Sequence, residues 1–176
     1  MIRSFHFISF LVFLTIQTVF AQEKIPIDPA TGKITYSETV KVDSVTADDF
    51  CLRIKTWVVE NFDSYSKALQ KDDRQNGLAI IKGTGNCYKP KTFGDTLING
   101  WFTYTLTIEY KDGSYKYTLI DFYSDDQWKG SIPAETYKGS KKQKLVYDLG
   151  ITEVSTGLIT SLKLSMGRRL VVGADE

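Results

Sequence analysis

Histidine is all but missing from this sequence. The one histidine, His6, stands in an N-terminal segment that reads as removable. Without it, the rest of the chain cannot build a Ser-His-Asp or Cys-His nucleophile, a histidine general base or a histidine-containing zinc site. Cysteine is nearly as scarce. Cys51 and Cys87 are the two there are, too few for an all-thiolate metal site, so neither metal nor cofactor is expected. Nor is there an excess of either charge, with 22 basic residues against 21 acidic ones. Nucleic-acid affinity comes largely from cations that neutralise phosphates, so a balanced chain argues against that partner. Internal repeats are absent, and no apolar run of membrane length follows the N-terminus.

What is present begins with a leader. Arg3 is the single charge before a run from Phe5 to Ile16 that is apolar apart from His6, Ser9 and Thr15. Val19-Phe20-Ala21 then offers a small-x-small cleavage site, so residues 1–21 read as a secretory signal peptide. A membrane anchor needs about 20 apolar residues, and Gln17 and Thr18 end the run early. Cleavage removes Arg3 and brings the charge to balance. A periplasmic or secreted protein with no remaining membrane span is expected. Residues 22–33, with Pro26 and Pro29, form a lead-in; residues 34–170 form one domain, and 171–176 a tail.

Periodicity sets the element order. Ile34 to Val42 alternate, with Tyr36, Val40 and Val42 on one side and Thr35, Ser37, Thr39 and Lys41 on the other, the pattern of a half-buried strand. Thr46 reads as the N-cap of a helix over about 47–61 whose apolar stripe includes Phe50, Ile54, Trp57 and Val58. A weak strand over 65–72, a turn at Asp73–Gly77 and a strand from Leu78 make a hairpin. Asp112-Gly113 between two alternating runs signals a two-residue type I′ turn. That register sets Phe102 against Tyr123, Leu106 against Leu119, Ile108 against Tyr117 and Tyr110 against Tyr115 on one face. The other face pairs Glu109 with Lys116, Thr107 with Thr118, Thr105 with Ile120 and Thr103 with Phe122. Residues 124–149 read as irregular, and 152–166 as a second helix closed by Gly167. The expectation is an α+β domain: an antiparallel sheet of about five strands, in the order strand, helix, four strands, helix, with both helices on one face.

The helix ending Lys55-Thr-Trp57, the Asp72 to Gly83 hairpin and the Tyr104–Tyr117 hairpin resemble a family of exported bacterial domains. These occur mainly in Bacteroidetes and are described only as domains of unknown function with a TATA-binding-protein-like fold. The resemblance spans about residues 34–124. It implies the fold and no catalytic residue, and the fold name does not carry DNA binding with it.

Candidate chemistry is thin. Asp72-Asp73 and Asp125-Asp126 read as solvated turn acids. Asp121 falls opposite Tyr104 on the core side, where a carboxylate needs a donor. Gly83-Thr-Gly85 reads as a strand exit or bulge, since no helix starts after it to make a phosphate cradle. Cys51 and Cys87 either form a disulfide, as an exported chain permits, or remain free with Cys51 packed beside Phe50 and Ile54. Lys138, Lys141, Lys142 and Lys144 make a short basic run, a solvated loop or an attractor for an acidic glycan or lipid headgroup. The helix-free face, lined by Trp101, Thr103, Thr105, Thr107, Thr118, Ile120 and Phe122, is the candidate binding surface. The expected function is therefore a non-catalytic binding module of the cell envelope, its partner an envelope protein or glycan. A small carboxylate-based hydrolase and a structural envelope component are the alternatives.

Overall fold

A computed structural model describes residues 25–88, 99–126 and 130–168. Strand β1 (Tyr36–Lys41) is followed by helices α1 (Ala47–Asn61) and α2 (Tyr65–Ala68) and by strands β2 (Leu69–Asp73), β3 (Leu78–Tyr88), β4 (Asn99–Lys111), β5 (Ser114–Asp126) and β6 (Gly130–Pro133). A 3-10 turn (Ala134–Thr136) leads into helix α3 (Lys141–Gly167). All neighbouring strands are antiparallel in the order β1-β5-β4-β3-β2, and β6 pairs with the far end of β5, giving six strands.

Helix α1 starts where the sequence places it. The Thr46 hydroxyl accepts from the Asp49 amide and the Asp49 carboxylate accepts from the Thr46 amide, a capping box. A second grip comes from outside the helix, because the Asp112 carboxylate accepts from the Ala47 amide at 2.7 Å. Asp112 belongs to the β4–β5 turn, which is as tight as expected but not of type I′. Of its two central residues only Gly113 has positive φ, and type I′ needs both. The turn's backbone is held from the side instead: Gly113 donates to the Val45 carbonyl and Val42 donates to the Gly113 carbonyl.

Both long helices lie on one face of the sheet. Phe50, Ile54, Trp57 and Val58 of α1 and Ile151, Leu162 and Met166 of α3 meet Phe102, Leu106, Ile108, Tyr115, Leu119 and Phe122 in one core. The two helices are also joined by a chain of polar contacts. The Trp57 indole donates to the Ser161 hydroxyl at 2.6 Å, Ser161 donates to the Asn61 side-chain oxygen, and the Asn61 amide donates to the Trp57 carbonyl. Buried Arg53 donates to the Met166 carbonyl. It supplies α3 with the cation that its own last turn lacks, at the negative end of the helix dipole.

Three sequence expectations are corrected here. The weak strand over 65–72 is one turn of helix followed by β2. The irregular stretch holds β6, the 3-10 turn and the first nine residues of α3, which begins at Lys141 behind a Ser140–Gln143 capping box. Its first turn is polar and Gly150 interrupts its apolar stripe, so the 3.6-residue period emerges only later. Gly150 is there because α3 crosses β3 closely: a Cβ on it would sit 2.3 Å from the Cys87 Cβ. Finally, Gly167 lies inside α3 rather than beyond it, and Arg168 is the C-cap.

Candidate functional site

The helix-free face of the sheet is built by strand alternation. Along β4, Trp101, Thr103, Thr105, Thr107 and Glu109 point away from the core, while Phe102, Tyr104, Leu106 and Ile108 are buried. Across from them on β3 stand Asn86, Thr84, Lys82 and Ile80, opposite Trp101, Thr103, Thr105 and Thr107 respectively. On β5, Ile120 faces Thr105, Thr118 faces Thr107 and Lys116 faces Glu109. Strand β1 extends the surface with Ser37 and Thr39. The Ser37 hydroxyl lies 3.1 Å from that of Thr118 and donates to the Tyr117 carbonyl. Among the described residues no helix covers this face. Trp101 is 59% exposed at the head of the threonine column.

One residue expected on this face is not there. Phe122 is 1% exposed and sits in the core against Tyr36, Phe102 and Tyr104. The anticipated register holds from the turn to Thr105–Ile120 and then shifts, so that Phe102 pairs with Ser124 and Thr103 with Tyr123. The extra residue is Asp121, at φ 56°. Asp tolerates the left-handed region better than most residues, and a bulge that begins there flips every later side chain to the opposite face. Tyr123 therefore takes the outer position. Asp121 does not face Tyr104; its carboxylate receives the Lys33 ammonium at 2.8 Å from the lead-in.

The remaining candidates have structural employment. Asp72 pairs with Lys55 at 2.6 Å, and Asp73 with Lys71 while accepting from the Asn76 amide. The side chains of Asp125 and Asp126 lie outside the described residues. Gly83 and Gly85 are neither a strand exit nor a bulge. They lie in mid-β3 because the rings of Tyr104 and Phe102 cover them, each within 2.3 Å of where a Cβ would be. Lys141 and Lys144 belong to the first turn of α3, where Lys144 pairs with Asp148 at 3.0 Å. The Lys142 side chain is outside the described residues.

Cys51 and Cys87 are free, and both are buried. Cys51 lies near Asp72 at the Tyr110 end of the sheet, whereas Cys87 pairs with Gly100, ten residues along β4. At a strand rise of about 3.3 Å per residue that separation is far beyond disulfide reach. Burial pushes the Cys87 thiol up to about 11. Neither thiol should react with a water-soluble disulfide reagent in the native protein at neutral pH, and both should react on denaturation. Fast native labelling of Cys87 would contradict this packing.

At the margin of the outer face the sheet leaves a cleft. Strand β2 pairs with β3 only as far as Ile81, and beyond it the chain of α1 and α2 stands beside β3. Asn61, Asp63, Ser64 and Lys67 line one side of a hollow of about 520 Å³, and Lys82, Thr84 and Thr103 the other. The sequence gives no sign of this juxtaposition, because Lys67 and Lys82 meet only through the early end of β2.

A six-stranded antiparallel sheet carrying α1 and α3 on one face is an α+β protein of TATA-binding-protein-like architecture. Residues 36–124, from β1 to β5, match the family described as domain of unknown function (DUF4468) with TBP-like fold, and the chain belongs to that family. It is similar to the crystal structure of a DUF4468 family protein from Bacteroides ovatus, with TM-score 0.65 and 11% identity over 82% of this chain and 92% of that one. It is also similar to a TBP-like protein from Parabacteroides distasonis, with TM-score 0.58 and 14% identity over 79% of this chain and 97% of that one. At these identities the likeness is one of fold. No curated protein matches the chain.

Proposed function

We propose that this protein is an exported, non-catalytic binding module of the bacterial cell envelope that holds a glycan against its outer sheet face. The observation that carries this reading is Trp101, 59% exposed at the head of a column of threonines that no helix covers among the described residues. A large indole left in water on a helix-free face is suited to stacking against a sugar ring. The hydroxyls of Thr103, Thr105, Thr107 and Ser37 beside it suit a polyhydroxylated ligand. A protein partner would call for a contiguous apolar centre, and here hydroxyls separate the apolar side chains. Export rests on the Arg3, apolar run and Val19-Phe20-Ala21 arrangement. The hydrolase reading has less support, since Asp121 and Asp72 are held in ion pairs.

Trp101→Ala should leave stability within about 0.5 kcal/mol, as a surface change does. Its retention on immobilised envelope polysaccharide should fall about tenfold, equivalent to ~1.4 kcal/mol. Unchanged retention with unchanged stability would remove the outer face from the site.

A further inference from the structure

The cleft beside β3 is continuous with the outer face, since Thr84 and Thr103 belong to both. Trp101 stands two residues from Thr103 along β4, roughly 7 Å away at the strand rise and so about one sugar unit from the cleft. Two exposed lysines line this hollow, Lys67 and Lys82. Among the described residues neither has a carboxylate within ion-pair distance, Asp63 of the cleft included. Lys41, Lys111, Lys138 and Lys141 are likewise without an acid partner among the described residues, but none of them lines this hollow. Lys33, Lys55, Lys71, Lys116, Lys144 and Lys163 each pair with an acid. On the outer face itself Glu109 and Asp73 are taken by Lys116 and Lys71, so the positive charge of Lys82 is uncompensated there. With Lys67 and Lys82 against the one carboxylate of Asp63, the hollow carries a net positive charge on a chain of otherwise balanced charge, which favours an anion from solution.

We propose that this cleft is the subsite for the negatively charged substituent of the glycan, which makes the ligand an acidic polysaccharide bearing carboxylates, of the uronate class. In that arrangement Trp101 stacks on one sugar while Lys67 and Lys82 hold the carboxylate of the next, with Thr84 and Thr103 offering hydroxyls between them. The inference rests on the reading of the outer face as a glycan-binding surface.

The test is calorimetric titration of residues 22–176 with hexagalacturonate and with its methyl ester, which keeps the backbone and loses the charges. The acid should bind at least about tenfold more tightly than the ester. The advantage should shrink as salt rises. A Lys67→Gln, Lys82→Gln double variant, with an unchanged melting temperature, should bind acid and ester alike. If wild type binds both equally and Trp101→Ala still abolishes binding, the anionic subsite is wrong and the outer-face reading stands. Acid-selective binding that survives the double variant also overturns the subsite. Should neither sugar bind, or Trp101→Ala leave binding unaltered, the outer-face reading falls with it. Lysine-dependent binding of a single-stranded oligonucleotide in preference to the uronate would equally overturn the assignment.

Discussion

Phe122→Ala should destabilise the protein by about 3–5 kcal/mol, the range for removing a fully buried aromatic ring. The ring packs within 6.0–6.4 Å, centroid to centroid, of Tyr36, Phe102 and Tyr104. The 3-10 turn packs against β5 nearby. Ile120, two residues earlier on the same strand, points the other way and is half-buried on the outer face. Ile120→Ala should therefore cost only about 1 kcal/mol. Denaturant unfolding of the two variants measures where the strand changes face. If Phe122→Ala costs no more than Ile120→Ala, the bulge at Asp121 is misplaced.

That bulge marks how far the sequence could be read. From the turn back to Thr105 and Ile120, alternation and opposite charges at Glu109 and Lys116 specify one register, because a one-residue slip would bury the charges. Beyond that point alternation continues on β4 but is broken on β5 by a residue whose side chain gives no warning. Asp121 looks like any acid until its φ is known. Helix α1 was legible because its cap, acidic first turn and apolar stripe agree, whereas the first turns of α3 hide behind lysines and a glycine chosen for contact with Cys87. The outer face was legible apart from Phe122 and Tyr123, which exchange sides at the bulge. The cleft was not legible, since it depends on β2 being shorter than β3. Strand length within a sheet is set by what packs beside the edge, here α2, and local sequence does not record it.

The turn between β2 and β3 provides the other large effect. Gly77 has φ +60°, and a Cβ on it would lie 2.0 Å from the carbonyl oxygen of Tyr110. The obstacle is backbone, not the end of a side chain, and it cannot rotate aside. The Tyr110 amide also donates to the Gly77 carbonyl at 2.7 Å, so the turn is docked against β4 at the point where it would have to withdraw. Gly113 isolates the conformational part of the cost. It has φ +75°, with nothing within 4 Å of its would-be Cβ. Gly113→Ala should cost about 1–2 kcal/mol, the strain of a left-handed alanine alone. Gly77→Ala adds to that strain a displacement of the β2–β3 turn from β4, and should cost at least about 3 kcal/mol. Denaturant midpoints of the two variants separate the contributions. Equal losses would mean that the approach to Tyr110 relaxes freely, and that the turn is not held in place by the strand it covers.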